Sequence, residues 1–366
     1  MIYFRAGPPL FPGPTKTQKI RGAKIYLGDP DTQGYQANYP GRRIRKAYYK
    51  TETGVEIVYD SWCLRRHVPG DAWHFDYIPA TQHVNEGWIF INNYGFYEYR
   101  NGITTKIGTY TARDLYSRCF YAHGSYWAWD RFIYRYPWYP NIPARLLRWD
   151  GSSWIEIKNK YGPGTYDTQT IDDITCLNEE LYTNGTKPYP YGIAILRYSG
   201  SGDSWTIFSN ESYRIFSNGN SLYGTDGNIY RYSSGSWVQL GGYLNNVNDV
   251  IDINGTYYCA TSNGLFQLVG SAWSQITTLR APDALQLCEK DGKLIYSKIV
   301  GNIFAITEAI PQYRRTDGTP EQLDMHGWMY CMKNIAGEVY LSGNTARNIY
   351  SNTSMNAIYK IVGKLS

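Results

Sequence analysis

Carboxylates are the residues of this chain that could do chemistry. Asp114, Asp173, Asp249, Asp283 and Asp324 each open a short β-like run. Carboxylates in such positions either cap turns through Asx hydrogen bonds or converge to hold a cation. No Asp-x-Asp-x-Asp-Gly loop favours calcium, and the spacing of His and Cys offers no ligand set for zinc. With five His and no Gly-x-Ser-x-Gly run, nucleophilic catalysis has little footing. The chain is therefore read as non-enzymatic, without metal or cofactor. A second chemistry is stacking: Tyr136-Pro137-Trp138-Tyr139-Pro140, with Tyr134 just before it and Tyr189 and Tyr191 further on, could bind sugar rings, anchor a protein interface or fill a groove.

The elements that must position these residues follow from a repeat. A residue-Gly pair followed by a hydrophobic residue and an aromatic recurs at Gly87, Gly124, Gly219, Gly255, Gly292 and Gly337, with a Gly-less copy at Asn178-Glu179. Successive spacings are 37, 55, 40, 36, 37 and 45 residues. A period near forty without helical patterning indicates a β-propeller. One copy shows how a blade forms: Asp249 to Ile253 alternates, Asn254-Gly255 turns, Thr256 to Thr261 returns, Leu265 to Leu268 runs back, and Trp273 to Leu279 finishes. The expected fold is all-β, a propeller of four-stranded antiparallel blades, seven in number with eight as the alternative.

A second block marks the third strand: Phe96-Tyr97-Glu98-Tyr99, Leu146-Leu147-Arg148-Trp149, Ile195-Leu196-Arg197-Tyr198, Ile229-Tyr230-Arg231-Tyr232, Leu265-Phe266-Gln267-Leu268, Ile303-Phe304-Ala305-Ile306 and Ile358-Tyr359-Lys360-Ile361. Four of these lead to Trp154, Trp205, Trp237 and Trp273. Three connections between second and third strands are long: Asp130 to Arg145, Thr183 to Gly192 and Ser342 to Asn356. Long loops on a rigid scaffold commonly carry function. Residues 47–62 resemble further strands, either an eighth blade or the strands that close the ring.

Charge divides the chain. Residues 1–50 hold ten Lys/Arg against Asp29 and Asp31, or +8 where the whole chain has +5, so the rest carries −3. Residues 1–41, rich in Pro and Gly, are expected to form an extended basic arm, with the propeller over 42–366. Lys16, Lys19, Arg21, Lys24, Arg42, Arg43, Arg45 and Lys46 suit docking on an acidic surface; no aromatic-basic spacing favours nucleic acid. Cys119, Cys176, Cys288 and Cys331 fall on predicted innermost strands, where buried thiols rather than disulfides are expected. The start lacks a signal-peptide pattern, and no apolar run of membrane-spanning length occurs.

The aromatic-Arg-aromatic, Gly/Ser, Trp signature resembles divergent propeller repeats of bacteriophage tail, nozzle and fibre proteins. It lacks the Gly-His and Trp-Asp marks of WD40 blades apart from Trp149-Asp150, and lacks the double Gly of kelch. The turns Trp149 to Trp154 and Ser199 to Trp205 approach the Asp boxes of sialidase propellers without keeping Ser-x-Asp-x-Gly-x-x-Trp. The resemblance implies a structural component of a tailed-phage virion, assembled in the host cytoplasm. Its arm would dock other virion proteins in a symmetric assembly, and a propeller face could meet a host glycan. A lectin-like propeller and a glycan-cleaving one are the alternative readings.

Overall fold

In the computed structural model the backbone is described through thirty-three strands. Side chains are described for residues 67–68, 72–81, 85–113, 117–130, 144–157, 174–184, 193–200, 205–276, 286–296, 329–343 and 357–361. In the leader, β1 (Ile2–Ala6), β4 (Ile44–Lys50) and β5 (Val55–Asp60) form a three-stranded sheet, and β2 (Thr17–Ile20) pairs with β3 (Ala23–Tyr26). The strand β6 (Cys63–Pro69) follows.

Blades then succeed one another. The first is β7 (His74–Ile78), β8 (Gly87–Asn92), β9 (Gly95–Arg100) and β10 (Ile103–Lys106). The second is β11 (Arg118–Ala122), β12 (Ser125–Asp130), β13 (Arg145–Trp149) and β14 (Trp154–Glu156). The third is β15 (Ile174–Leu177), β16 (Glu180–Lys187), β17 (Gly192–Tyr198) and β18 (Trp205–Ser209). The fourth is β19 (Arg214–Asn218), β20 (Ser221–Thr225), β21 (Ile229–Ser233) and β22 (Ser236–Gln239). The fifth is β23 (Val247–Ile253), β24 (Thr256–Thr261), β25 (Gly264–Val269) and β26 (Ala272–Thr277). The sixth is β27 (Cys288–Lys290), β28 (Lys293–Asn302), β29 (Ala305–Arg314) and β30 (Pro320–Gln322). A last sheet joins β31 (Met329–Ile335), β32 (Glu338–Arg347) and β33 (Ser354–Val362) to β6.

The blade count expected from the repeat is thereby corrected. Six blades, rather than seven or eight, are each completed by four consecutive strands. The copy at Ala336-Gly337 supplies three strands, and the remaining four-stranded sheet is a composite that borrows β6, with Val68 paired to Ile358. Counting motifs counts second strands, so it cannot tell a self-contained blade from one that depends on a distant strand. The closing strand is Cys63–Pro69 and not the 47–62 stretch, whose β4 and β5 pair within the leader sheet.

Turn chemistry explains the regularity. Asn254 and Gly255 both have positive φ, 52° and 82°, as do His123-Gly124, Asp291-Gly292 and Ala336-Gly337. Two consecutive left-handed residues match the right-handed twist of the flanking strands and favour Asn-Gly. At the Gly-less copy Glu179 adopts φ 62° with a side chain that disfavours it. Glu179→Gly is expected to stabilise the protein by about 0.5–1 kcal/mol, read from the urea midpoint; an unchanged or lower midpoint would refute this account of the turn.

Two further expectations are corrected by register. Gly87 is not a turn residue but the first residue of β8, paired with Ile78. Ile303-Phe304-Ala305-Ile306 is not the third-strand block of its blade. Ile295 occupies the place of Tyr258 and pairs with Tyr313, so the residues matching Leu265 to Leu268 are Pro311 to Arg314, because β28 and β29 pair onward through Asn302 and Ala305. That prolonged hairpin accounts for much of the 45-residue spacing.

The core lies between sheets rather than within them. Phe120, Trp127 and Trp129 of the second blade pack with Ile174, Leu196, Tyr198 and Trp205 of the third. Val68, Phe75, Trp88, Cys331 and Ile358 bind the composite sheet to the first blade. Each such side chain contributes roughly 1.5–3 kcal/mol on burial. The recurrent Trp and Arg belong to these junctions. Trp154 Nε1 donates to Ile107 O of the preceding blade at 3.0 Å, and Trp237 Nε1 to Ser209 Oγ at 3.1 Å. Arg148 donates to Tyr198 Oη at 2.9 Å, and Arg231 to Tyr257 Oη at 2.8 Å. The signature that carries the resemblance is thus a packing signature.

Candidate functional site

Polar side chains on the first strands of the sheets join neighbouring sheets. Asp76 accepts the Lys333 amine on Oδ1 at 2.8 Å and the Tyr121 N–H on Oδ2 at 2.9 Å, tying β31, β7 and β11 together. Arg118 Nη1 donates to Ile174 O at 3.1 Å, and Arg214 Nη1 to Val247 O at 2.9 Å. Ser217 Oγ donates to Cys176 O at 2.7 Å, and Asn334 Nδ2 to Glu289 O at 2.6 Å. Side chain thus meets backbone at successive junctions, which secures strands that share no ladder.

Of the five strand-opening aspartates, Asp249 is described, and Asp114, Asp173, Asp283 and Asp324 lie outside the described residues. Asp249 is buried and accepts Leu287 N–H at 2.7 Å and Asn218 Nδ2 at 3.0 Å on one oxygen, and Val250 N–H at 2.9 Å on the other. Burial raises its carboxyl from the usual 3.8 to about 7 despite these donors. Because the folded value is the higher, its contribution is complete below about pH 4 and disappears as pH rises through 7. The stability of the wild type relative to Asp249→Asn is expected to fall by up to on the order of 4 kcal/mol between about pH 4 and pH 8. A pH-independent difference in denaturant midpoints would show that Asp249 is ionised throughout.

The thiols of Cys119 on β11, Cys288 on β27 and Cys331 on β31 are free and buried as expected, while Cys176 on β15 is free and only half-buried. Cys119 contacts His74, whose Nδ1 accepts the Cys119 N–H at 3.2 Å. Burial pushes the thiol well above its ordinary value and the imidazole well below. A neutral thiol beside a neutral imidazole, both inaccessible, is a packing pair and not a nucleophile. Among the described residues no group of three or more His, Cys, Asp or Glu could hold a metal ion, and no helix is long and apolar enough to cross a membrane.

The Asp-box-like turn also resolves into structure. Asp150 Oδ1 accepts Ser152 N–H at 2.8 Å and Ser153 N–H at 2.7 Å, an Asx turn between β13 and β14. The Ser153 and Ser152 N–H groups hold the exposed carboxylate down at about 2.

The constellation that stands apart lies where β12 ends and β13 begins. Asp130 is wholly buried. Its Oδ1 accepts Tyr110 Oη–H at 2.7 Å, Ser117 Oγ–H at 2.5 Å and Arg113 N–H at 3.3 Å. Its Oδ2 accepts Arg145 Nε–H at 2.5 Å, and Arg113 Nε lies 3.8 Å away. Arg145 also donates from Nη2 to Thr111 O at 3.1 Å and covers the Tyr110 ring at 5.6 Å. Burial, then the Asp130 charge, push the Tyr110 hydroxyl far above its usual value, so it remains a donor. Burial, then the Arg145 charge, lower Arg113. Asp130 and Arg145 are a register pair, so the ladder itself aligns the first ion pair. The blade-linking segment of residues 110–117 brings the remaining partners.

The aromatics expected to bind, Tyr134, Tyr136, Trp138, Tyr139, Tyr189 and Tyr191, lie outside the described residues. So do the side chains of Lys16, Lys19, Arg21, Lys24, Arg42, Arg43, Arg45 and Lys46. Two connections are shorter than expected because pairing persists beyond the blade edge: Thr186 pairs with Ile193, and Thr345 with Met355. The β28–β29 extension is a further drawn-out connection on the same side, concealed in the sequence by the misplaced third-strand block. Sequence reasoning also missed the Asp130 cluster; Asp130 and Arg145 marked only the ends of a loop.

No family model matches the chain, and no curated protein matches it. Solved structures do. The extracellular domain of a putative one-component system from B. thetaiotaomicron is 12% identical, with a TM-score of 0.37, over 94% of this chain and 61% of that one. An ancestral GH74 enzyme is 12% identical, with a TM-score of 0.45, over 99% of this chain and 52% of that one. YjhT is 10% identical, with a TM-score of 0.36, over 68% of this chain and 94% of that one. The chain thus spans just over half to about three fifths of the length of two of these proteins. The likeness is one of fold and transfers no residue. The expectation that the chain is not an enzyme is not kept: a glycoside hydrolase stands among the matched structures, and a match at 12% identity and a TM-score of 0.45 argues neither for nor against activity in this chain.

Proposed function

We propose that this β-propeller is a docking component of a multiprotein particle of the tailed-phage kind, and that its partner meets the side from which the second-to-third connections rise. One observation carries the reading. The connections of β16–β17, β28–β29 and β32–β33 are prolonged hairpins, and β12 of the second blade ends in a buried carboxylate bonded on both oxygens. On the opposite side the turns at His123-Gly124, Asn178-Glu179, Asn254-Gly255, Asp291-Gly292 and Ala336-Gly337 are two residues long. Extension of three second-to-third connections on a rigid ring suits recognition of a large partner. The aromatics Tyr134, Tyr136, Trp138 and Tyr139 belong to the β12–β13 connection, and the basic leader supplies a second attachment to an acidic surface.

The test is quantitative mass spectrometry of purified particles from the source. A fixed copy number relative to capsid and tail proteins is expected, with cross-links from the hairpins at 185–192 and 297–309 to one neighbour. Absence from particles would overturn the assignment.

A further inference from the structure

Asn-Gly pairs occur at Asn101, Asn184, Asn218, Asn254 and Asn263. Such a pair sets an electrophile, the side-chain carbonyl carbon, beside a nucleophile, the next backbone nitrogen, which glycine leaves unshielded. Four of the pairs are restrained. Asn184 is buried and donates from Nδ2 to Tyr213 O. Asn218 Nδ2 is held by Asp249 Oδ2 at 3.0 Å and Leu287 O at 2.8 Å. Gly264 is buried in its ladder opposite Thr261. Gly255 N–H donates to Asp252 Oδ1 at 2.7 Å. Asn101 and Gly102 differ: both are exposed between β9 and β10, and among the described residues nothing accepts from the Gly102 N–H. The backbone is otherwise the same as at the restrained Asn254-Gly255 turn, with φ of 51° and 81° against 52° and 82°. Asn101 Oδ1 also accepts Asn85 Nδ2–H at 3.0 Å, which draws electron density from the side-chain carbonyl.

We propose that Asn101 is a site of spontaneous modification, its amide converted to a carboxylate through attack by the Gly102 nitrogen. That nitrogen gives its proton to hydroxide and forms a bond to Asn101 Cγ. The Cγ–Nδ2 bond then breaks, and ammonia leaves with a proton taken from water, which regenerates hydroxide. The cyclic imide left behind adds one water at either carbonyl and opens to an aspartate or an isoaspartate at position 101. One water thus replaces one ammonia, with no change of oxidation state. Asn85 stabilises the negative charge that develops on Oδ1 as the new bond forms. Asp252 does the reverse at the matching turn, because it occupies the Gly255 N–H and its charge opposes an anionic nitrogen. An isoaspartate inserts a methylene into the backbone of a two-residue turn whose left-handed residues set the pairing of Ile103 with Arg100. Modification therefore loosens β10, the exposed outer strand of the first blade, and adds a negative charge beside it. The site is a property of the chain and is independent of the docking role.

The test is incubation of the folded full-length protein in mildly alkaline heavy-oxygen water, followed by peptide mapping with mass spectrometry. Label is expected at position 101 about tenfold faster than at Asn254, the factor set by one hydrogen bond to a carboxylate. Asn85→Ala should slow labelling at position 101 by about two- to tenfold, and Asp252→Ala should speed labelling at Asn254 by about tenfold. Variants are compared with the wild type only after their unfolding midpoints show that they are folded. In urea the five sites should lose their ranking, because each consists of the same two residues. Labelling at Asn254 as fast as at position 101 in the folded protein, or a ranking that survives in urea, would overturn the site. An unchanged rate in Asn85→Ala would overturn the activation by Asn85.

Discussion

Replacing Asp130 with alanine is expected to destabilise the protein by about 3–5 kcal/mol, the cost of breaking a buried ion pair by removing one member. The Tyr110 hydroxyl and the Ser117 hydroxyl would lose their common acceptor, and Arg113 and Arg145 would lose the carboxylate they share. Arg145→Ala should cost less, because Arg145 is a quarter exposed and the carboxylate would keep Tyr110, Ser117 and the Arg113 N–H. Urea unfolding of the two variants decides the matter. A loss below about 1 kcal/mol for Asp130→Ala would mean that water replaces the carboxylate and that the cluster does not join β12 to the 110–117 segment.

A loss of similar size, about 3–5 kcal/mol, is expected for Trp127→Ala. The indole is fully buried, donates to Ala122 O at 3.0 Å, meets the Tyr198 ring edge-on at 4.8 Å, and lies under the Arg148 guanidinium at 5.9 Å. Each of those partners belongs either to its own sheet or to the junction with the next. Removing the ring therefore leaves a cavity between the second and third blades, where neither sheet can collapse without breaking its ladders. Trp127→Phe fills most of that volume and should cost no more than about half as much. Equal losses for the two variants would place the energy in the indole N–H rather than in packing.

The meander and its turns could be read from the chain because they depend on local chemistry. Asn254-Gly255 encodes two left-handed residues, and the alternation of Asp249 to Ile253 encodes a strand, found within β23. The inner-strand cysteines followed from the same register. The misplaced Ile303 to Ile306 block shows where local reading ends. An apolar run of the right type lay at nearly the right spacing, but it sits in a hairpin prolonged past the blade, and only pairing with Tyr296 selects Gln312. The site was harder still. Tyr110, Arg113, Ser117, Asp130 and Arg145 come together through a blade-linking segment and a ladder, with no periodicity to mark them. The composite sheet was misjudged because residues 44–60 look as strand-like as residues 63–69 and differ only in their partner.

The pairing of Val68 with Ile358 sets an order of events in folding. A chain emerging from its N-terminus exposes β6 long before β33 exists, so a seven-residue strand must wait with its edge unsatisfied while every blade between is made. Unpaired edges of this kind seek strands of other chains. Closure by so distant a contact is also slow, because loop entropy is lost before the pairing compensates. The last strand therefore acts as a kinetic gate on the whole ring: crowded synthesis should favour exchange of β6 between copies, and dilution should favour the closed monomer.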